Sequence, residues 1–253
     1  MPQGKEHATE QAPTPAAVRV AALAKCYGRE TALAGVDLEV SRGDAFGLVG
    51  ANGAGKTTLI KCMLDLCAAD AGAVEIFGMK AALPRARARL AYVPERFTPP
   101  HYLRCGEFLE AAARLAGGRY HAARAAQLLA DLDLDALSLS KPVRSLSKGM
   151  TQKLGLAAGF LVERDLDVLD EPMSGLVPAA RVAVKSVLRR LGAEGRTLFF
   201  TSHVLADVEE LCSTIAVLDR GRVRFRGTPA DLCAHYAESN LERAYMRCIH
   251  DAR

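Results

Sequence analysis

Near the start of the chain, apolar and polar positions alternate in short runs, as in Val36-Asp37-Leu38-Glu39-Val40. A period of two belongs to a half-buried strand, and Gly, Asp or Ser bounds each run. The pattern predicts strands over Val18–Ala24, Val36–Val40 and Val74–Phe77, the pieces of a small antiparallel lobe. Between them the pattern changes. Ala45-Phe46-Gly47-Leu48-Val49 is an unbroken apolar run that ends in a glycine-rich turn, and beyond it Leu59, Ile60, Met63 and Leu64 recur at helical spacing. This order predicts a strand, a loop and then a helix over Thr57–Leu66.

Four later apolar runs, Leu90–Val93, Leu166–Leu169, Thr197–Thr201 and Ile215–Leu218, are separated by helical segments. Strands that read as continuous apolar runs and alternate with helices predict a mostly parallel sheet covered by helices, hence an α/β core. From about Pro94 to Gly149 the alternation stops. Glu107–Leu115 and Ala122–Leu132 are rich in Ala and Leu at helical period, so 94–149 is expected to be an inserted helical lobe. Leu241, Tyr245 and Ile249 recur every fourth residue and predict a terminal amphipathic helix. The expected organisation is a polar, Pro-containing leader over 1–17, one core domain over 18–232, and a helical tail over 233–253.

The 253 residues are half hydrophobic and a quarter charged, which suits one enzyme-sized unit and excludes disorder over most of the length. A net charge of +4, with Arg85, Arg87 and Arg89 as its one tight basic cluster, does not demand nucleic acid. The seven cysteines are odd in number and form no C-x-x-C pair, which reads as reduced thiols in a cytosolic compartment. The leader lacks the apolar segment of a secretory signal. No run reaches about 18 uninterrupted apolar residues, so any work at a membrane is expected to rely on another chain.

The chemistry is concentrated in two places. Gly50-Ala51-Asn52-Gly53-Ala54-Gly55-Lys56-Thr57-Thr58 fits G-x-x-x-x-G-K-[ST] between a predicted strand and a predicted helix. In such a loop the glycines let backbone N–H groups turn towards phosphates and the helix N-terminus adds positive potential. Lys56 neutralises the outer phosphates and Thr57 can ligate Mg²⁺. The second place is Leu166-Asp167-Val168-Leu169-Asp170-Glu171, an apolar strand ending in two carboxylates. Acids at the C-terminal end of a sheet strand face the ligand crevice. Asp170 is therefore expected on Mg²⁺, and Glu171 as the group that orients and deprotonates an attacking water. Asp167, inside the strand, needs a partner or must titrate.

From about Val18 to Leu232 the chain resembles the nucleotide-binding subunits of ABC transporters. Leu146-Ser147-Lys148-Gly149-Met150 looks like that family's signature loop, with Ser147 placed 23 residues before Asp170 (170 − 147). The resemblance implies a P-loop NTPase fold, ATP and Mg²⁺ as cofactors, and hydrolysis of ATP. It also implies that Ser147 and Gly149 contact the γ-phosphate of a nucleotide held by a second subunit. By the same resemblance Tyr27 stacks on adenine and His203 is the switch residue at the γ-phosphate. Glu95 takes the Q-loop position, where it reaches Mg²⁺ or the attacking water. Departures are Val177 in place of the D-loop aspartate, and Lys148 and Met150 where glycine and glutamine are usual.

The Tyr92-Val93-Pro94-Glu95 and Ser147-Lys148-Gly149-Met150 variants look like ABC-2-type exporter ATPases. The implied partners are an integral membrane transporter subunit on a separate chain and a second ATPase subunit, on the cytoplasmic face of a membrane. No nucleic acid is expected. Lys56 and Asp170 are 114 residues apart (170 − 56), too close for the long coiled coils of repair-type relatives, which disfavours the alternative of a soluble ABC-type ATPase acting on nucleic acid or ribosomes. A weakly hydrolysing regulatory subunit is the third reading, kept by Val177.

Overall fold

The computed structural model describes residues 15–251. The first fourteen residues of the expected leader lie outside that range, but Ala17 is fully buried and its N–H donates to Val40 O at 2.8 Å, so the folded part begins before Val18. In chain order the elements are β1 (Val18–Tyr27), β2 (Glu30–Val40), β3 (Ala45–Val49), α1 (Lys56–Met63), β4 (Ala71–Ile76), β5 (Met79–Lys80), α2 (Pro84–Arg87) and β6 (Leu90–Val93). These are followed by α3 (Cys105–Leu115), α4 (Ala122–Asp131), α5 (Lys148–Leu161), β7 (Leu166–Leu169), α6 (Pro178–Ala193) and β8 (Thr197–Ser202). The chain closes with α7 (Leu205–Leu211), β9 (Thr214–Asp219), β10 (Arg222–Gly227), α8 (Pro229–His235) and α9 (Leu241–His250).

Two sheets result. The antiparallel lobe has the order β2-β1-β4-β5, and the larger sheet has the order β10-β9-β3-β8-β7-β6. In the larger sheet β9, β3, β8, β7 and β6 run parallel, and β10 pairs antiparallel at one edge. The mostly parallel sheet, the antiparallel lobe and the helical lobe are those the patterning predicts. Boundaries differ for local reasons. The first two strands extend to a hairpin in which Tyr27 pairs Glu30 around Gly28, whose φ is 61°. Helix α1 stops at Met63 because Asp65 turns left-handed, φ 57°, and Leu66 N–H closes the end by donating to Lys61 O. Strand β10 escapes the pattern because Arg222, Arg224 and Arg226 interrupt it, as charges do on an edge strand. The lobe boundary at Gly149 falls inside α5, which packs against α3 and α4 on one side and β6 on the other.

Alternation along the parallel strands divides the core in two. Phe46, Leu48 and Phe199 face α1 and the antiparallel sheet, and the Phe46 and Phe199 rings stack at 5.5 Å. Val49, Leu198 and Phe200 face the cluster built by α3 to α9. The sheet is thus a plate clamped on both faces, which fixes the positions of its strand ends.

Asp167 breaks the apolar run of β7. It is fully buried, and Arg196, in the turn before β8, donates from Nη2 to its Oδ1 at 2.6 Å. Asp167 Oδ2 and Arg196 Nε have no hydrogen-bond partner. Burial pushes the carboxyl up to about 7, against the pull of the guanidinium. Because this value lies above the ordinary carboxylate value, the folded form holds the proton that the unfolded form releases. Stability from this group is therefore present at the acid end and is lost as pH rises from about 4 towards 7. Removing one member of a buried pair costs about 3–5 kcal/mol, while replacing both by apolar residues is often neutral or better. In urea unfolding at pH 8, Arg196→Met alone is expected to lose that amount, and Asp167→Val with Arg196→Met to match or exceed the parent. The advantage of the double variant should grow between pH 5 and pH 8, and an advantage that shrinks instead would contradict the assignment.

Candidate functional site

The loop from Gly50 to Gly55 joins β3 to α1 under tight steric limits. Gly55 stands at φ 110°, and a Cβ there would lie 2.5 Å from Ala32 O; one on Gly50 would lie 2.4 Å from Leu218 O. Only glycine allows the loop to sit this close to β2 and β9. Helix α1 then starts at Lys56, so its free N–H groups and the positive end of its dipole open onto a cleft of about 560 Å³.

The floor of that cleft is a chain of polar contacts. Lys56 is 7% exposed; its Nζ donates to Gly50 O at 2.7 Å and stands 3.5 Å from Glu171 Oε1. Thr57 Oγ1 donates to Asp170 Oδ2 at 3.1 Å. Thr201 Oγ1 donates to Asp170 Oδ1 at 2.7 Å and accepts from the Glu171 N–H at 2.9 Å. Glu171 itself adopts φ 48°, a left-handed conformation that a residue other than glycine holds only when its surroundings impose it. Its Oε2 lies 2.8 Å from His203 Nδ1, and its Oε1 is buried without a hydrogen bond. Burial and the negative charge of Asp170 push the Tyr92 hydroxyl up to about 12.

At the rim Tyr27 is 48% exposed and its hydroxyl donates to Cys67 Sγ at 3.7 Å. That bond, ahead of burial, raises the phenol. The Lys25 ammonium stands 5.5 Å from the Tyr27 ring centroid and is held by Asp70 at 2.8 Å. Asn52, Gly53, Thr58 and Glu95 also line the cleft. Gly50 and Ala54 are buried beneath the loop. Ser147 and Gly149 are outside it: Ser147 caps α5, its Oγ accepting from the Met150 N–H at 3.3 Å, and Gly149 is the second residue of that helix.

The donors suit the expected ligands. A glycine cradle at a helix N-terminus with a buried ammonium matches a polyphosphate. Among the described residues no cluster of three or more His, Cys, Asp and Glu could hold a metal alone. The hard oxygens of Thr57 and Asp170 suit Mg²⁺, which is usually bound by one or two protein oxygens together with phosphate oxygens.

The family model described as ABC transporter matches residues 33–174. The chain belongs to the ABC transporter family. Within it, the cassette is 37% identical over 202 residues to an uncharacterized ABC transporter ATP-binding protein of Synechocystis sp., covering 78% of this chain and 56% of that relative. It is 34% identical to the Nod factor export ATP-binding protein I of Ralstonia nicotianae, over 89% of this chain and 71% of that one. The cassette therefore spans little more than half the length of the first of these relatives. A solved structure of an ATP binding subunit of an ABC transporter superposes with TM-score 0.84 at 32% identity, covering 91% of this chain and 98% of the other. The P-loop NTPase fold is thereby established, and ATP is the nucleotide this family's cassettes bind.

Sequence reasoning missed Thr201, which anchors the Asp170 carboxylate and the Glu171 backbone, and Glu30, Ala32 and Ser174, which line the cleft. Thr201 was legible as the last residue of an apolar strand, but its role depends on the register in which Leu169 pairs Phe200. Thr201→Val leaves Asp170 and the Glu171 N–H each short of a partner, a loss of about 1–3 kcal/mol of stability. With the Asp170 carboxylate and the Glu171 backbone loosened, ATP turnover, on the hydrolytic reading proposed below, is expected to fall by about 100-fold. Steady-state kinetics checks this, and turnover within two-fold of the parent would remove Thr201 from the site.

Proposed function

We propose that the cassette binds ATP with Mg²⁺ in this cleft, hydrolyses it, and uses the cycle to drive export through a membrane subunit on a separate chain. The observation that carries this reading is Glu171, held in a left-handed conformation by Thr201 and bonded to His203, with its free oxygen facing Lys56. In this arrangement Lys56 meets the outer phosphates, and its 2.7 Å bond to Gly50 O keeps the ammonium within the loop. Glu171 orients and deprotonates water, and His203 fixes the carboxylate that does so. Thr57 and Asp170, with Glu95 near by, would hold Mg²⁺, which would supply positive charge against that of the phosphates. Tyr27, exposed at the rim, offers a stacking face for the base.

The placement of Ser147 and Gly149 away from the chain's own cleft supports their use on the nucleotide of a second cassette, so that ATP joins a dimer. Val177, 66% exposed before Pro178, presents no polar group there, and the dimer then rests on the nucleotide contacts. A groove of about 450 Å³ between β6, α3 and α5, lined by Tyr92, Phe97, Phe108 and Leu115, suits a short amphipathic helix of the membrane subunit. No described helix is long and apolar enough to cross a membrane. The proposed pairing with a membrane subunit implies a peripheral role at the cytoplasmic face, and the Nod factor export relative supports export.

Glu171→Gln keeps size and hydrogen bonding but removes the base. Turnover should fall by at least about 100-fold while ATP binding survives, and the variant should elute as an ATP-dependent dimer. Adding Ser147→Arg should abolish the dimer and spare monomeric binding. Hydrolysis at the parent rate would remove Glu171 as the base; a silent variant that stays monomeric with saturating ATP, even with its membrane partner, would sink the dimer. Phe97→Asp should bind ATP as the parent does yet lose the integral membrane protein that co-purifies from detergent-solubilised membranes.

A further inference from the structure

Behind the rim of the cleft, the sulfurs of Cys62 and Cys67 lie 3.4 Å apart. Cys62 is buried in the last turn of α1, six residues after Lys56, and Cys67 is partly exposed just past the helix end. Their spacing is imposed by the backbone. Asp65 turns left-handed, Leu66 N–H donates to Lys61 O at 2.8 Å, and Cys67 N–H approaches the same oxygen at 3.4 Å. A disulfide needs the sulfurs about 2.05 Å apart, so side-chain rotation with roughly 1.4 Å of sulfur movement closes the gap. Cys67 Sγ is also the acceptor for the Tyr27 hydroxyl, which makes one sulfur a member of both pairs.

We propose that Cys62 and Cys67 form a reversible dithiol–disulfide modification site whose oxidation weakens ATP binding. The second half rests on the reading of Tyr27 as the adenine platform. A hydroperoxide is the oxidant. The accessible Cys67 sulfur, on the side of the Lys25 ammonium, attacks the terminal peroxide oxygen; the O–O bond breaks, leaving Cys67 as sulfenic acid and releasing water or an alcohol. The Cys62 sulfur then attacks the Cys67 sulfur, the S–O bond breaks, and the oxygen leaves as water with the Cys62 proton. Two thiols give up two electrons and the peroxide gains them; a small dithiol reverses the step. Burial pushes the Cys62 thiol up to about 12, which leaves the first attack on the peroxide to Cys67. As Cys67 Sγ swings to Cys62 it leaves the Tyr27 hydroxyl, and the ring loses the bond that orients it.

The test uses the full chain without nucleotide, treated with hydrogen peroxide and digested under non-reducing conditions. A peptide cross-linked between Cys62 and Cys67, lost on adding dithiothreitol, is expected. By calorimetry the Kd for ATP should rise about 3- to 10-fold on oxidation and return on reduction. Cys62→Ser, which leaves the Cys67 bond to Tyr27 in place, should form no cross-link and stay within two-fold of its reduced affinity. If peroxide yields only sulfinic acid or unpaired thiols, the modification site is overturned. If the cross-link forms and ATP affinity does not move, or Cys62→Ser loses as much affinity as the parent, its effect on binding is overturned. Tyr27→Ala separates the two readings: unchanged ATP affinity in that variant removes the platform, whatever the cysteines do.

Discussion

The arrangement of carboxylates on the cleft floor depends on one hydroxyl. Thr201 Oγ1 spends its proton on the Asp170 carboxylate and its lone pair on the Glu171 N–H, so one carboxylate and the backbone of the next residue are tied to a neighbouring strand through one atom. That double use requires β7 and β8 to be parallel and in one register, because a one-residue slip would turn Thr201 to the other face of the sheet. The register is held by the residues just before the site, with Leu198 and Phe200 packing on one face and Phe199 stacking on Phe46 on the other. Sheet packing is therefore transmitted to the cleft as the position of a single oxygen.

The floor of the cleft is buried and bonded, and its rim is exposed. Lys56, Asp170 and Glu171 are each less than 10% exposed and bonded to strand ends or to the glycine loop. Tyr27 sits on a hairpin of the smaller sheet, half exposed, with a sulfur for its hydroxyl and an ion pair, Lys25 with Asp70, beside its ring. Contacts of that kind are weak and partly screened. On the proposed reading, phosphate binding draws on buried groups of the core and base binding on an exposed edge.

What was legible in the sequence follows from this. Period-two and unbroken apolar runs mark β3, β6, β7, β8 and β9 because burial on one or both faces leaves a compositional trace. The glycine loop and the Asp170–Glu171 end are legible because their chemistry demands residue types at fixed spacing. Strand β10 left no such trace, since an edge strand carrying Arg222, Arg224 and Arg226 looks like a solvated segment. Thr201 was in view yet unassigned, because its role is a relation between two strands and not a local pattern. Asp167 was visible as an anomaly, and only the fold supplies Arg196 as its partner.

Charge balance in the cleft constrains what it accepts. Two buried carboxylates, Asp170 and Glu171, face one buried ammonium, Lys56, and the hydroxyls of Thr57 and Thr201 supply further bonds without charge. Placing the anionic tail of ATP beside those carboxylates adds repulsion that a single ammonium and the α1 dipole do not cancel in a partly desolvated site. The Thr57 and Asp170 oxygens already gathered there would hold a hard divalent cation, whose charge would offset that repulsion. The nucleotide and the cation are thus expected to bind with positive coupling, each lowering the electrostatic cost of the other. On the proposed reading Glu171 would gain from the same balance: a cation offsetting Asp170 and phosphates drawing Lys56 away would leave its carboxylate to water and to His203, already 2.8 Å away.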